Sequence, residues 1–217
     1  MAAGRPPRCG PAFNVRPPLP RLHAITDERI ARRADLDDLA RELAEAGGVN
    51  LAFHARGRQL SGLEHFQLAV QLSNLPTVQL FVNDRLDIAL AVNATGVQLG
   101  RGSLPASAAR RLEPRWWIGK SVHDLVEAEA ANAAGADYLV VGPVYATATH
   151  PDHSPLGLER LREIARLELP VIAIGGVTPE RAREVKAAGA YGAAAIRALW
   201  DATEPGAAAR RMLEAWQ

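Results

Sequence analysis

The 217-residue chain has one cysteine, Cys9. That excludes an internal disulfide framework and a multi-cysteine metal site. Aromatic residues make up only 5% of the chain, which argues against a binding surface of stacked rings. Charge of one sign is missing too. The 25 basic and 24 acidic residues leave a net charge of +1, so no overall electrostatic footprint for nucleic acid or an anionic membrane exists. No apolar run approaches the roughly 18–20 residues of a membrane helix. The opening MAAGRPPRCG lacks the apolar stretch of a secretory signal. These absences point to a compact cytoplasmic protein with neither nucleic-acid nor membrane partners. The length suits one large domain or two small ones.

What is present divides at about residue 20. Residues 1–20 hold six of the 15 prolines and three arginines, and no acidic residue precedes Asp27. Such a segment cannot bury enough to offset the cost of ordering it, and it reads as a tail or a linker from an upstream domain. From residue 21 to 217, short apolar runs alternate with amphipathic stretches. The spacing predicts strands at 21–27, 49–55, 77–83, 96–100, 116–122, 138–144, 170–176 and 192–198. It predicts helices at 35–46, 62–73, 84–93, 105–113, 123–134, 158–166, 179–188 and 205–216. Gly47-Gly48, Gly135 and Gly189 mark helix ends, and Thr178-Pro179 and Asp35 mark helix starts. Eight strand–helix units require a parallel sheet, and closing them gives a single (β/α)8 TIM barrel. No GxGxxG follows the first strand, which weighs against an open doubly wound sheet.

Active sites in such barrels sit at the C-terminal ends of the strands. Those ends carry Thr26-Asp27, His54 with Arg56 and Arg58, Asn83-Asp84-Arg85, Gln98, Ser121 and His123. The later strands lead to Thr147, Thr149 and His150, Gly175-Gly176, and Ile196-Arg197. Four of the six histidines (His54, His123, His150, His153) fall at this end, which points to an enzyme. Gly175-Gly176 before a helix start reads either as an anion seat or as a tight turn. His123 reads as a proton carrier or as a helix cap. Arg56 and Arg58 suit a phosphate or carboxylate ligand, or form a solvated loop. Asp84 is either a magnesium ligand or a helix cap paired with Arg85. His150 and His153 are too few to form a metal site by themselves.

Together these motifs resemble the thiamine phosphate synthase/TenI family over about residues 21–200. LHAITD (22–27), FVNDRLDIALAVNATGVQLG (81–100), SVHDLVEAEAANAAGADYLVVGPVYATATHPD (121–152), PLGLERLREIA and PVIAIGGVTPE carry the resemblance in order. It implies the barrel fold, a small phosphorylated thiazole ligand and a homo-oligomer. It also implies one of two activities. Synthases couple a pyrimidine diphosphate to a thiazole phosphate, using magnesium. TenI-type members shift a proton on a carboxythiazole phosphate.

Residue by residue, the resemblance favours the TenI type. His54 stands where synthases carry a glutamine, Gln98 where they carry a histidine, Ser103 where they carry a metal-binding aspartate, and His150 where they carry a lysine. The family's phosphate-binding glycines match Gly175 and Gly176, while Arg197 replaces a serine. The expectation is therefore a thiazole tautomerase. His123 and Ser121 would be catalytic. His54, Arg56, Arg58, Asn83, Thr147, Thr149, Gly175, Gly176, Ile196 and Arg197 would bind the substrate. No cofactor is expected. The alternatives are a divergent magnesium-dependent synthase, with Asp84 as metal ligand, and a non-catalytic binder of a thiazole or thiamine phosphate.

Overall fold

The computed structural model describes residues 16–147 and 154–217. Eight parallel strands close into a barrel in chain order: β1 (Leu22–Ile25), β2 (Leu51–Ala55), β3 (Gln79–Asn83), β4 (Gly96–Leu99), β5 (Trp117–Val122), β6 (Tyr138–Val141), β7 (Val171–Ile174) and β8 (Gly192–Ala195). The first and last strands pair, with Leu22 opposite Ala193. The single (β/α)8 barrel expected from the sequence is the fold observed.

The helices are α1 (Glu28–Ala31), α2 (Leu36–Gly47), α3 (Gly62–Ser73), α4 (Leu86–Ala91), α5 (Ala106–Leu112), α6 (Leu125–Ala133), α7 (Gly157–Ile164), α8 (Ala182–Ala187), α9 (Arg197–Trp200) and α10 (Pro205–Leu213). The glycine stops work as expected: Gly48, Gly135 and Gly189 all adopt left-handed backbone angles just past a helix. Thr178-Pro179 opens a short 3₁₀ turn, Pro179–Arg181, ahead of α8. Two one-turn helices, α1 and α9, were not expected. Neither is long enough to show a periodic pattern, and Arg197 and Ala198 belong to α9 rather than to the eighth strand. No helix among the described residues is long and apolar enough to cross a membrane.

Side chains alternate between two cores, as a pleated barrel demands. The outer core fills the space between strands and helices and includes Leu22, Phe53, Leu80, Ile118, Leu139 and Trp200. The inner core packs Ile25, Ala52, Phe81, Tyr138, Val140, Ile172 and Ala194 along the barrel axis.

The Pro-rich segment departs from its reading as a tail. Arg16–Pro20 lies across the barrel end that holds the strand starts. Four of the barrel's side chains donate to its carbonyls: Trp117 Nε1 to Pro17 (2.9 Å), Gln79 Nε2 to Pro18 (2.9 Å), Tyr191 OH to Leu19 (2.7 Å) and His23 Nε2 to Pro20 (3.1 Å). Leu19 is buried in the inner core, and Arg16 pairs with Asp137 at 3.0 Å and lies over the Trp117 ring. Prolines cannot donate, but their carbonyls accept, so a Pro-rich strap suits a barrel floor whose side chains are donors. Arg16–Pro20 therefore belongs to the folded barrel. The rest of the expected tail lies outside the described residues.

Candidate active site

The mouth of the barrel gathers groups from seven strand ends. At β1 and β2, the Thr26 hydroxyl accepts the Arg56 N–H and donates to the His54 carbonyl, both at 2.9 Å. This anchors the backbone that carries Arg56. The Arg56 guanidinium is part-buried and forms no ion pair among the described residues. Burial, and then repulsion from exposed Arg58, pull its pKa below the usual arginine range, while Glu28, Asp84 and Asp27 oppose that shift. An incompletely neutralised guanidinium at the rim is an anion-binding group.

At β3 and β4, Asp84 sits just past the strand at φ 62°, a left-handed angle that only a few non-glycine residues adopt. One oxygen of its carboxylate accepts the Gly100 N–H at 2.8 Å and the Ser103 hydroxyl. Asp84 is thus neither a helix cap nor a partner of Arg85, which pairs with Asp87 at 2.6 Å. Among the described residues, no group of three or more His, Cys, Asp or Glu side chains is placed to hold a metal. A magnesium ion would have one carboxylate here, through the second oxygen of Asp84. Magnesium bound by so few protein ligands depends on substrate phosphates for the rest of its shell.

At β5, alternation puts Ser121 and Lys120 on opposite faces, with Ser121 turned toward buried Gln98. Gln98 Nε2 donates to Ser121 Oγ at 2.9 Å, which leaves the serine's own proton to offer elsewhere. Lys120 Nζ instead ties down the Gly100 carbonyl at 2.5 Å. His123 is exposed at the rim. Its ring Nδ1 and its backbone N–H each meet Glu127 at 2.9 Å, and Arg101 bonds the same carboxylate at 2.7 Å. Burial alone would raise the Glu127 pKa; the bonds from His123 and Arg101 outweigh it and lower it. An ionised Glu127 holds the proton on Nδ1 and leaves Nε2 as a base.

At β7 and β8, Gly175 and Gly176 adopt φ 92° and 66°. Here glycine is required twice over. A Cβ on Gly175 would lie 2.5 Å from Pro143 Cα, and one on Gly176 would lie 2.8 Å from the Ala146 carbonyl. The strand 6 loop packs onto this turn through Tyr145 N–H to the Gly175 carbonyl, 2.9 Å. Neither glycine's own N–H finds a partner among the described residues. Next to them, Ile196 caps α9 and exposed Arg197 begins it. Two amides without a partner among the described residues, a helix start and a guanidinium are groups whose chemistry suits an anion.

The structure therefore brings Arg56, Arg58, Asn83, Ser121, His123, Gly175, Gly176, Ile196 and Arg197 to one mouth. Thr147 lies on the strand 6 loop beside them. Thr149, His150 and His153 lie outside the described residues. His54 is a correction. Its ring is fully buried inside the barrel, with both nitrogens bonded to His23 and Asn83, so it does not reach a ligand beside Arg56. It belongs to the last interior layer of the strand, where residue i faces the axis, whereas Arg56 lies past the strand end. Sequence reasoning missed Glu127 and Arg101. The spacing of His123 and Glu127, one helical turn, was the available signal.

The chain is similar to proteins of known family. A family model described as "Thiamine monophosphate synthase" matches residues 22–199. A thiamine-phosphate synthase of Methanoculleus marisnigri is 42% identical over 197 residues, covering 88% of this chain and 92% of the relative. A putative thiamine-phosphate synthase 2 of Aquifex aeolicus is 37% identical over 182 residues, covering 82% and 96%. The solved thiamine phosphate pyrophosphorylase of Pyrococcus furiosus superposes with a TM-score of 0.78 at 34% identity, covering 90% of this chain and 94% of that one. These names favour the transferase over the isomerase that the residue-by-residue resemblance had favoured.

Proposed function

The chain belongs to the thiamine monophosphate synthase family, and from that premise we propose that it is an enzyme of thiamine biosynthesis that couples a pyrimidine diphosphate to a thiazole phosphate. The observation that carries this reading is the match to synthases along nearly the whole barrel, with Arg56 and Asp84 on the same rim. The thiazole phosphate docks on Gly175, Gly176 and the Ile196–Arg197 turn, where open amides and a guanidinium meet it. Arg56 and Arg58 face the departing diphosphate and offset its charge. Magnesium, held by the second oxygen of Asp84, would supply further charge neutralisation to the diphosphate. Ser121 keeps a free hydroxyl proton for the substrate.

A second reading is favoured by two specific observations. Ser103, not a second carboxylate, occupies the position facing Asp84, and the His123–Glu127 pair is built as a base. In this reading no metal takes part. His123 Nε2 removes a proton from one position of a carboxythiazole phosphate and returns it to another, and Arg56 or Arg58 holds the carboxylate.

One experiment separates the two. The purified chain is incubated with both precursors, and separately with the carboxythiazole phosphate, with and without magnesium, and the products are identified. Magnesium-dependent thiamine phosphate supports coupling. Its absence together with metal-independent isomerisation replaces coupling with the proton shift. Loss of both, with ligand still bound, leaves a non-catalytic binder.

A further inference from the structure

Successive peptide units of the turn after β7 have their carbonyls tied down. The Ile174 carbonyl accepts the Val144 N–H at 2.8 Å, and the Gly175 carbonyl accepts the Tyr145 N–H at 2.9 Å, both from the strand 6 loop. The next carbonyl, that of Gly176, is held by a side chain instead: Arg181 Nη1 donates to it at 2.8 Å. Arg181 ends the 3₁₀ turn ahead of α8 and is exposed. The strand 6 loop holds this guanidinium in turn, since it lies 4.4 Å from the centre of the Tyr145 ring. The Tyr145 hydroxyl donates to Glu184 at 2.7 Å. Burial, reinforced by that bond, pushes the Tyr145 pKa up to about 12, so the phenol stays a neutral donor.

A trans peptide is planar, with its N–H pointing opposite to its C=O. The carbonyl tethers therefore set the directions of the Gly175, Gly176 and Val177 N–H groups. The tethering donors stand side by side, Val144 next to Tyr145 in the chain and Arg181 on the Tyr145 ring. The carbonyls thus turn to one side and the N–H groups to the other. None of these N–H groups finds a partner among the described residues. Consecutive N–H groups on one side make a concave seat for an anion. Two of the tethers run from backbone to backbone and do not depend on side-chain identity. The Gly176 tether depends on Arg181. Gly176 has no side chain to restrain the peptide that follows it, and the Val177 side chain is anchored in the outer core.

We infer that Arg181 is a positioning residue of the anion seat: by holding the Gly176 carbonyl it turns the Val177 N–H to the same side as those of Gly175 and Gly176, as a further donor to a phosphate group. Arg181 acts through the turn, with one nitrogen given to a backbone carbonyl and one face covered by Tyr145. The tether does not depend on the reaction performed. Its use rests on the proposed function, in which the thiazole phosphate docks on this turn.

The test uses the full chain labelled with ¹⁵N and titrated with inorganic phosphate, with backbone amide signals as the readout. In the unaltered chain the Gly175, Gly176 and Val177 signals are expected to move together, with one dissociation constant. Arg181→Leu, folded by circular dichroism, is expected to bind phosphate about fivefold more weakly, the worth of one hydrogen bond. At saturating phosphate its Gly175 and Gly176 signals should still move, and its Val177 signal should not. A full Val177 shift at saturation in this variant overturns the positioning role, because loss of a direct charge contact weakens binding without redirecting an amide. Movement of the two glycines without Val177 in the unaltered chain overturns it with no variant needed. If none of these signals moves, the anion seat itself fails, and the role of Arg181 with it. Failure of the proposed reaction is read separately, in the product assay, since these shifts do not depend on turnover.

Discussion

Glu127 holds His123 at two points, the backbone N–H and ring Nδ1, each at 2.9 Å. The two residues are one helical turn apart at the start of α6, so strand end and helix start together fix one imidazole at the rim. Arg101, on the neighbouring loop, braces the carboxylate from the other side at 2.7 Å.

This pair predicts the behaviour of the proton shift. His123→Ala is expected to lower kcat in the isomerisation assay by about 10²–10⁴-fold, the usual contribution of a positioned acid–base, with thiazole phosphate binding retained. Glu127→Gln is expected to cost less, since the amide still bonds Nδ1 without its charge. Unchanged turnover in His123→Ala removes this residue from the mechanism.

Ser103 predicts a gain. Ser103→Asp places a second carboxylate beside Asp84 and is expected to tighten magnesium binding, measured by calorimetry on the ligand-free chain. Coupling of the two precursors should become more sensitive to magnesium in the same variant. If magnesium affinity stays flat, the Asp84–Ser103 position is not the metal seat.

The two-glycine turn predicts a combined loss of stability and binding. Gly175→Ala must either strain a φ of 92° or displace Pro143. A loss of about 1–3 kcal/mol is expected, seen as a lower Tm, because strained backbone of this kind costs about that much. KM for the thiazole phosphate should rise as well. A variant with native Tm and native KM contradicts the close packing of this turn against Pro143.

Buried histidines predict the acid side of the stability profile. His23 titrates at about 4 when folded, against about 6.5 when unfolded. Between those values the unfolded chain binds a proton that the folded chain does not, so stability rises with pH across that window and falls as pH drops through it. The ceiling for His23 is about 3 kcal/mol, because a tenfold difference in proton affinity between the two states is worth about 1.36 kcal/mol. His54 moves in the same direction and adds to the slope. Tm measured from pH 7.5 down to 5 is expected to fall, and to fall less steeply in His23→Phe. Parallel profiles for the two proteins would show that His23 does not carry the effect.

The floor strap predicts the outcome of truncation. A chain beginning at Arg21 loses the acceptors of Trp117, Gln79, Tyr191 and His23, and uncovers the seat of Leu19. Each net hydrogen bond is worth about 1 kcal/mol, so a marked drop in Tm is expected relative to a chain beginning at Arg16. Equal Tm values would mean that the strap only rests on the barrel.

Much of this was legible in the sequence. All eight strands were, because a parallel barrel buries both strand faces and writes each strand as a short apolar run between glycine stops. Asp84, Ser121, His123 and the Gly175-Gly176 turn were legible because they end those runs or follow them directly. His54 was misplaced because alternation tells which residues share a face, not how far the strand runs; two residues decide between a buried ring and a rim ligand. The strap was misread because composition measures what a segment can bury by itself, and these prolines are held by donors from distant strands.

The sequence by itself determined the barrel and its closure, since periodicity and glycine placement are local properties of the chain. The tertiary structure decided which way the polar groups face. It set Glu127 on His123, sealed the floor with Arg16–Pro20, and lined up Pro20, His23, His54 and Asn83 across 63 positions of sequence, from 20 to 83. Those are hydrogen-bond partnerships, and a donor meets its acceptor only after the ring has closed around the axis.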